Sequence, residues 1–164
     1  MISFRWTDGR DPAFQDFYLK TEEYYNQMAG GAEHRKAFIP YNLSESVSDV
    51  LIASDGDTAA GCAGLKRYSD SDAEVKRVWV EPPYRGRHIA REMMIQLEKK
   101  AAADGYARTI LQTRAVMTDA VHLYLQLGYH IIRNYPPYDS LEGAVCFAKE
   151  LRPAGPETGN EDEI

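Results

Sequence analysis

The chain lacks several features that would each point to a particular chemistry. It has two cysteines in 164 residues, Cys62 and Cys146, far apart in apolar, strand-like surroundings. That suits buried reduced thiols better than a disulfide or a thiolate metal site. The four histidines, His34, His88, His122 and His130, show no ligand spacing, so no metal is expected. No apolar run is long enough to cross a bilayer, and the start, Met1-Ile2-Ser3-Phe4-Arg5-Trp6, has neither the basic head nor the apolar middle of a signal peptide. The expectation is therefore a cytoplasmic protein with no membrane partner. Positive charge is also scarce: 19 Lys and Arg against 25 Asp and Glu leave a net charge of -6. Such a surface repels a polyanion, so nucleic acid is not an expected partner. A local basic turn on an acidic surface suits a cationic or amine substrate with one anionic cofactor. Neither GxGxxG nor GxxxxGK[ST] occurs, which removes the two best-known nucleotide cradles.

What the chain does have is enough apolar material, 44% of residues, for one domain with a real core, expected over 1–152. Residues 153–164, rich in Pro, Gly and acid, read as a disordered acidic tail. After a short strand at Ile2 to Trp6, residues Phe14, Phe17, Tyr18, Tyr24, Tyr25 and Met28 recur at helical spacing up to Gly30-Gly31, so this aromatic stripe reads as core. Strands follow at 49–54 and 61–68 around the hairpin signal Asp55-Gly56-Asp57, then at 74–80, closed by Glu81-Pro82-Pro83. From Ile89 the apolar positions 89, 90, 93, 94, 97 and 101 keep to one side of a helix that runs to Gly105. A strand at 109–113, a helix at 118–127 capped by Thr118 or Asp119, and strands at 129–133 and 144–151 complete the chain. Hairpin strands followed by alternating strands and helices indicate a mixed sheet covered by helices.

The turn Tyr84-Arg85-Gly86-Arg87-His88-Ile89-Ala90 leads from a strand directly into that helix. The first N–H groups of a helix lack internal partners and carry partial positive charge, so this end can bind a phosphate, with Arg85 and Arg87 adding charge. A solvated basic turn that merely starts a helix fits the hexapeptide equally well.

Read together, Glu74-Val-Lys-Arg-Val-Trp-Val80, the Arg85 turn with its helix, Ala120-Val-His-Leu-Tyr-Leu-Gln-Leu-Gly-Tyr129 and Val145-Cys-Phe-Ala-Lys-Glu-Leu151 resemble the GNAT superfamily of acyl-CoA-dependent N-acetyltransferases. The resemblance spans 48–151. It implies an α/β (α+β) fold with a mixed, mostly antiparallel central sheet of six or seven strands and helices on both faces. In that family an Arg/Gln-x-x-Gly-x-Gly/Ala turn binds the pyrophosphate of acetyl-CoA through main-chain N–H groups. Arg85 and Ala90 match its ends, whereas His88 replaces its central glycine. We expect His88 to take ordinary right-handed angles in the first helical turn and to serve through its N–H rather than its ring. The implied cofactor contacts are Val78, Trp79, Val80, Arg85, Gly86, Arg87, His88, Ile89, Ala90 and Thr113, with the Val80 N–H polarising the thioester carbonyl.

The resemblance also implies two reacting side chains. Glu74 falls where many members carry the base that takes the amine's proton; a salt bridge to Lys76, two along the strand, is the competing reading. Tyr124 falls where members carry the tyrosine that donates a proton to the departing thiolate, and a packed aromatic is its competing reading. Members often place a cofactor-contacting asparagine before this tyrosine, where the chain has Met117 and Thr118. The loops Arg35–Asn42 and Asn134–Tyr138 fit an acceptor pocket, with Tyr41, Asn42 and Tyr135 as substrate contacts. The expected activity is direct transfer of acetyl from acetyl-CoA to a small-molecule amine, without a covalent acyl-enzyme; a homodimer is compatible with it. The alternatives are a non-catalytic acyl-CoA-binding sensor or docking module, and acetylation of a protein N-terminus or lysine.

Overall fold

The structure, a computed structural model, describes residues 1–28 and 46–151. The side chains of Tyr25 and Met28, the helix stop at Gly30-Gly31, Tyr41, Asn42 and the tail from 153 lie outside the described residues. The elements run β1 (Ile2–Thr7), α1 (Pro12–Met28), β2 (Asp49–Asp55), β3 (Thr58–Arg67), β4 (Asp72–Val80), a 3-10 turn (Pro82–Tyr84), α2 (Ile89–Ala103), β5 (Arg108–Arg114), α3 (Thr118–Gln126), β6 (His130–Ile132) and β7 (Ala144–Glu150). The strands form one seven-stranded sheet in the order β1-β2-β3-β4-β5-β7-β6. Only β4 and β5 pair in parallel; the remaining neighbours are antiparallel. This is the mixed, mostly antiparallel α/β sheet expected from the sequence.

Period-two alternation along β2 divides the core between the two faces of the sheet. Leu51 and Ala53 join Met93, Met94 and Leu97 of α2 and Tyr124 of α3 on one face. Val50 and Ile52 join Phe14 and Phe17 of α1, with Cys62 and Trp79, on the other. The first residues of the aromatic stripe are thus core, whereas Tyr24 stacks edge-on to Trp79, with ring centroids 5.1 Å apart. The Asp-Gly hairpin forms as read, with Asp55 opposite Thr58 and Gly56 at φ 59, a left-handed angle that glycine adopts without strain. One expected cap is corrected: the residue before α3 is Met117, and no side chain caps that helix.

Two features of β4 position everything that follows. First, β4 and β5 are in register only over Asp72↔Arg108, Ala73↔Thr109 and Glu74↔Ile110, and beyond that point they diverge. The base of this fork is closed by Arg108, whose Nε and Nη2 donate to the two carboxylate oxygens of Asp72 at 2.9 and 3.2 Å. Second, the β3–β4 ladder slips between Cys62↔Trp79 and Gly64↔Lys76, so two residues of β4, Arg77 and Val78, face one of β3. Arg77 at the bulge has φ 56, a conformation that costs a non-glycine residue about 1–2 kcal/mol. It is held there by its Nη1 donating to Thr21 Oγ1 at 2.8 Å, an ion pair to Glu22, stacking over Tyr18 at 4.2 Å, and the Cys62 thiol donating to its carbonyl.

Candidate active site

Where β4 and β5 diverge, they leave a cavity of about 350 Å³ roofed by α3. Its walls include Val78, Trp79 and Val80 from β4, Leu111 to Arg114 from β5, Arg85 and Ala90 from the turn and helix start, and Met117, Leu123 and Tyr124 around α3. Of the expected cofactor contacts, Val78, Trp79, Val80, Arg85, Ala90 and Thr113 line this space, while Gly86, Arg87, His88 and Ile89 lie outside its lining. The orientation of Val80 follows from the ladder. Glu81 N–H bonds to Ala60 O at 2.8 Å, so in an antiparallel pair the preceding residue turns its N–H and C=O away from β3 and toward the fork. The Val80 carbonyl is then taken by Arg85 Nε at 2.8 Å, while the guanidinium stacks over Trp79 at 4.7 Å. The Arg85 side chain therefore fixes the turn against the strand, leaving the Val80 N–H directed into the cavity.

The turn itself departs from expectation. His88 has φ 63 and ψ 21, left-handed rather than right-handed, with no side-chain cap bond. Its carbonyl accepts the first helical bond, from Glu92 N–H at 3.0 Å, so it is the residue before the helix and not part of the first turn. The central glycine of the family pattern is thus conformationally meaningful, and histidine occupies its angles, among the better tolerated non-glycine residues there. By helix geometry the N–H groups of Ile89, Ala90 and Arg91 have no partner four residues back. The cavity, with an inward-facing N–H and an open helix start, could hold an acyl-CoA with its phosphates at the turn and its thioester at the fork.

Glu74 and Tyr124 lie on opposite faces of β4, since Tyr124 belongs to the same core cluster as Ala73 and Val75 and Glu74 alternates with them along the strand. Tyr124 is 7% exposed, lines the cavity and packs edge-on to Tyr129 and tilted to Phe147. Glu74 is 4% exposed and sits where the fork begins. Its Oε2 accepts from Tyr135 Oη at 2.8 Å, and Lys76 Nζ lies 3.9 Å from the same oxygen. The predicted Lys76 partner is therefore present, but the shorter contact is to Tyr135, so the structure joins Glu74 to one of the three expected acceptor contacts.

Sequence reasoning missed the rest of this cluster. Lys76 Nζ donates to Tyr138 Oη at 2.9 Å, Tyr138 is buried, and Tyr68 and Tyr138 pack edge-on against Tyr135. Burial pulls the Lys76 ammonium down to about 8, against the attraction of Glu74. Burial and the neighbouring Glu74 push the Tyr135 phenol far up, so it stays protonated and donates. The only signal in the sequence was the density of tyrosine around Pro136-Pro137. Among the described residues no group of three or more His, Cys, Asp or Glu could hold a metal, and no helix is long and apolar enough to cross a membrane.

Comparison with known proteins closes the description of the site. The model of the acetyltransferase (GNAT) family matches residues 7–129. The chain is 26% identical over 136 residues to an IAA acetyltransferase of Azospirillum brasilense, covering 80% of this chain and 89% of that protein. It is 25% identical over 135 residues to a mycothiol acetyltransferase of Corynebacterium glutamicum, covering 82% of this chain but only 44% of the relative's length. A solved structure from Klebsiella pneumoniae, described as an acyl-CoA N-acyltransferase, superposes with a TM-score of 0.77 at 22% identity over 93% of this chain and 99% of that one. A GNAT family acetyltransferase from Elizabethkingia anophelis with acetyl-CoA bound superposes with a TM-score of 0.66 at 19% identity, over 92% and 98%.

Proposed function

This chain belongs to the GNAT family of acetyltransferases, and from that premise we propose that it moves acetyl from acetyl-CoA directly to the primary amine of a small molecule, with Glu74 as base and Tyr124 as acid. The observation that supports this reading is that Tyr124 lines the cavity, whereas Glu74 stands at the last β4–β5 pair, outside that lining and on the opposite face of β4. An amine approaching the thioester from the Glu74 face forms its C–N bond there, and the C–S bond breaks toward the Tyr124 face. Glu74 receives the proton the amine loses, directly or through water, because only the neutral amine is a nucleophile. Tyr124 supplies a proton to the sulfur as negative charge develops on it. The Val80 N–H faces the same space and suits the oxyanion. Tyr135, bonded to Glu74 and outside the cavity lining, is the side chain that would meet the acceptor on that face.

Direct transfer is favoured over an acyl-enzyme because both thiols are buried and burial pushes each of them up, away from the nucleophilic thiolate. The IAA and mycothiol acetyltransferases differ in what their names say they acetylate, so the acceptor has to be found by screening. Turnover of acetyl-CoA over an amine panel, in wild type, Glu74→Gln and Tyr124→Phe, tests the assignment. Glu74→Gln should lower kcat about a hundredfold or more, and Tyr124→Phe should lower it by less, while both still bind acetyl-CoA. Equal trace rates in all three would indicate a protein that binds acyl-CoA without catalysis.

A further inference from the structure

We propose that Lys76, anchored by the Tyr138 hydroxyl, is a positioning residue for Glu74: its charge offsets the buried carboxylate whose oxygen Tyr135 holds, and so sets the pH range over which Glu74 accepts a proton. The inference rests on Glu74 being the base, and it assigns the regulation of that base to one neighbour. Lys76 and Glu74 side chains are each 6% exposed, with Nζ and Oε2 3.9 Å apart. At that separation, and with Nζ anchored 2.9 Å from Tyr138 Oη, the ammonium acts on the carboxylate as a fixed charge rather than as a close contact. The cation is therefore near enough to favour the ionised carboxylate without becoming its direct hydrogen-bond partner.

The groups facing Glu74 come from every described element packed on it. Lys66 of β3 stands directly opposite in the ladder, and Asp72 of β4 is engaged by Arg108. Tyr135 donates to Glu74 from the β6–β7 loop. Tyr68 after β3 and Cys146 of β7 both feel its charge. On β5 the register partner is the apolar Ile110. Lys66 is the one rival counter-charge of like sign among these, but it is only half-buried, and solvent screens it far more than Lys76. Burial also brings Lys76 down to about 8, so it is still largely charged through neutral pH, where the amine is captured.

The experiment is the pH dependence of kcat/KM, under saturating acetyl-CoA, for wild type, Lys76→Met, Lys76→Arg, Lys66→Gln, Tyr138→Phe and Glu74→Gln. With Lys76→Met the acidic limb should move upward by about one pH unit, and the KM for acetyl-CoA should stay within twofold. Lys76→Arg should restore the limb, and Lys66→Gln should leave it in place. Tyr138→Phe should shift the limb in the same direction by less, and it decides the matter if Lys76→Met does not fold. The proposal is overturned if Lys76→Met folds and keeps the wild-type limb, if Lys66→Gln moves the limb instead, or if Tyr138→Phe leaves it unmoved when Lys76→Met cannot be made. Glu74→Gln separates the two levels. A Glu74→Gln enzyme that retains wild-type rate and limb removes Glu74 as base, whereas loss of the limb there with an unmoved limb in Lys76→Met removes only the role of Lys76.

Discussion

The two halves of β4 work in different ways. From Asp72 to Glu74 the strand is paired on both sides, and from Asp72 to Lys76 it offers side chains: Asp72 closes the fork with Arg108, Glu74 meets Tyr135, and Lys76 meets Tyr138. From Val78 to Val80 it has lost β5 as a neighbour and offers main chain, with the Val80 N–H turned into the cavity and side chains that mainly pack. Arg77 stands between the halves in a left-handed conformation, and the extra residue of the bulge changes which groups face where. A strand that must supply buried charges at one end and an unpaired backbone at the other needs such a break, because without it one half would carry the wrong phase.

The largest expected effect comes from removing what holds that break. Arg77→Ala deletes the Glu22 ion pair, the Thr21 bond and the stacking on Tyr18. Stability should fall by about 3 kcal/mol, the scale for breaking a largely buried pair, and the KM for acetyl-CoA should rise more than tenfold as Val78 to Val80 lose phase. Arg77→Gly makes the comparison sharper, since glycine adopts the backbone angle freely yet supplies none of the ties. If denaturant unfolding finds Arg77→Gly as stable as wild type, the bulge is maintained by backbone preference alone, and the contrast between the halves does not depend on Arg77 contacts.

A smaller effect tests the first half of the strand. Unfolded, Lys76 would hold its proton to about 10.5, the ordinary value, whereas in the fold it falls to about 8. Below pH 8 both states are protonated and the full penalty of burying the charge is present. Between 8 and 10.5 the unfolded state binds more protons, so stability rises with pH, and above 10.5 the penalty is gone. The stability of wild type relative to Lys76→Met should therefore rise by about 3 kcal/mol across that window, read from urea unfolding at each pH. Taking the difference cancels the tyrosines and thiols that titrate in the same range. A flat difference would mean that Lys76 is hydrated and that the first half of β4 is not a dry charged cluster.

The two halves were also unequally legible in the sequence. Local patterns located nearly every strand and helix to within a few residues, and the basic turn, because hydrophobic period, hairpin glycine and helix stops are written in neighbouring residues; Tyr124 was singled out only by the family resemblance. The fork was not legible, since it depends on where β4 and β5 stop pairing, and those strands are far apart in the chain. The bulge was hidden as well: Glu74-Val-Lys-Arg-Val-Trp-Val80 reads as an even strand, and what disrupts it is Thr21, Glu22 and Tyr18 from a distant helix. Lys76 could be placed beside Glu74 by period two, but Tyr138, which anchors it, could not. The angle of His88 was misjudged because a residue type suggests a helical turn, whereas the path of the chain from the 3-10 turn into α2 imposes the left-handed corner.

That corner ends the second half of the strand and gives the smallest effect. His88 sits at φ 63, and it is exposed, with no side-chain cap bond to hold it there, unlike Arg77. Replacing it with glycine removes roughly 1–2 kcal/mol of left-handed strain and adds about 0.5–1 kcal/mol of unfolded-state entropy. His88→Gly should thus be more stable by about 0.5 kcal/mol, a rise in Tm on the order of 1–2 °C. If this half of the site works through main chain, the KM for acetyl-CoA should stay within about tenfold, roughly 1.4 kcal/mol. A larger loss, with the thermal gain intact, would mean that the imidazole itself holds the cofactor. The turn would then belong with Glu74 and Lys76 as a place where side chains rather than backbone carry the function.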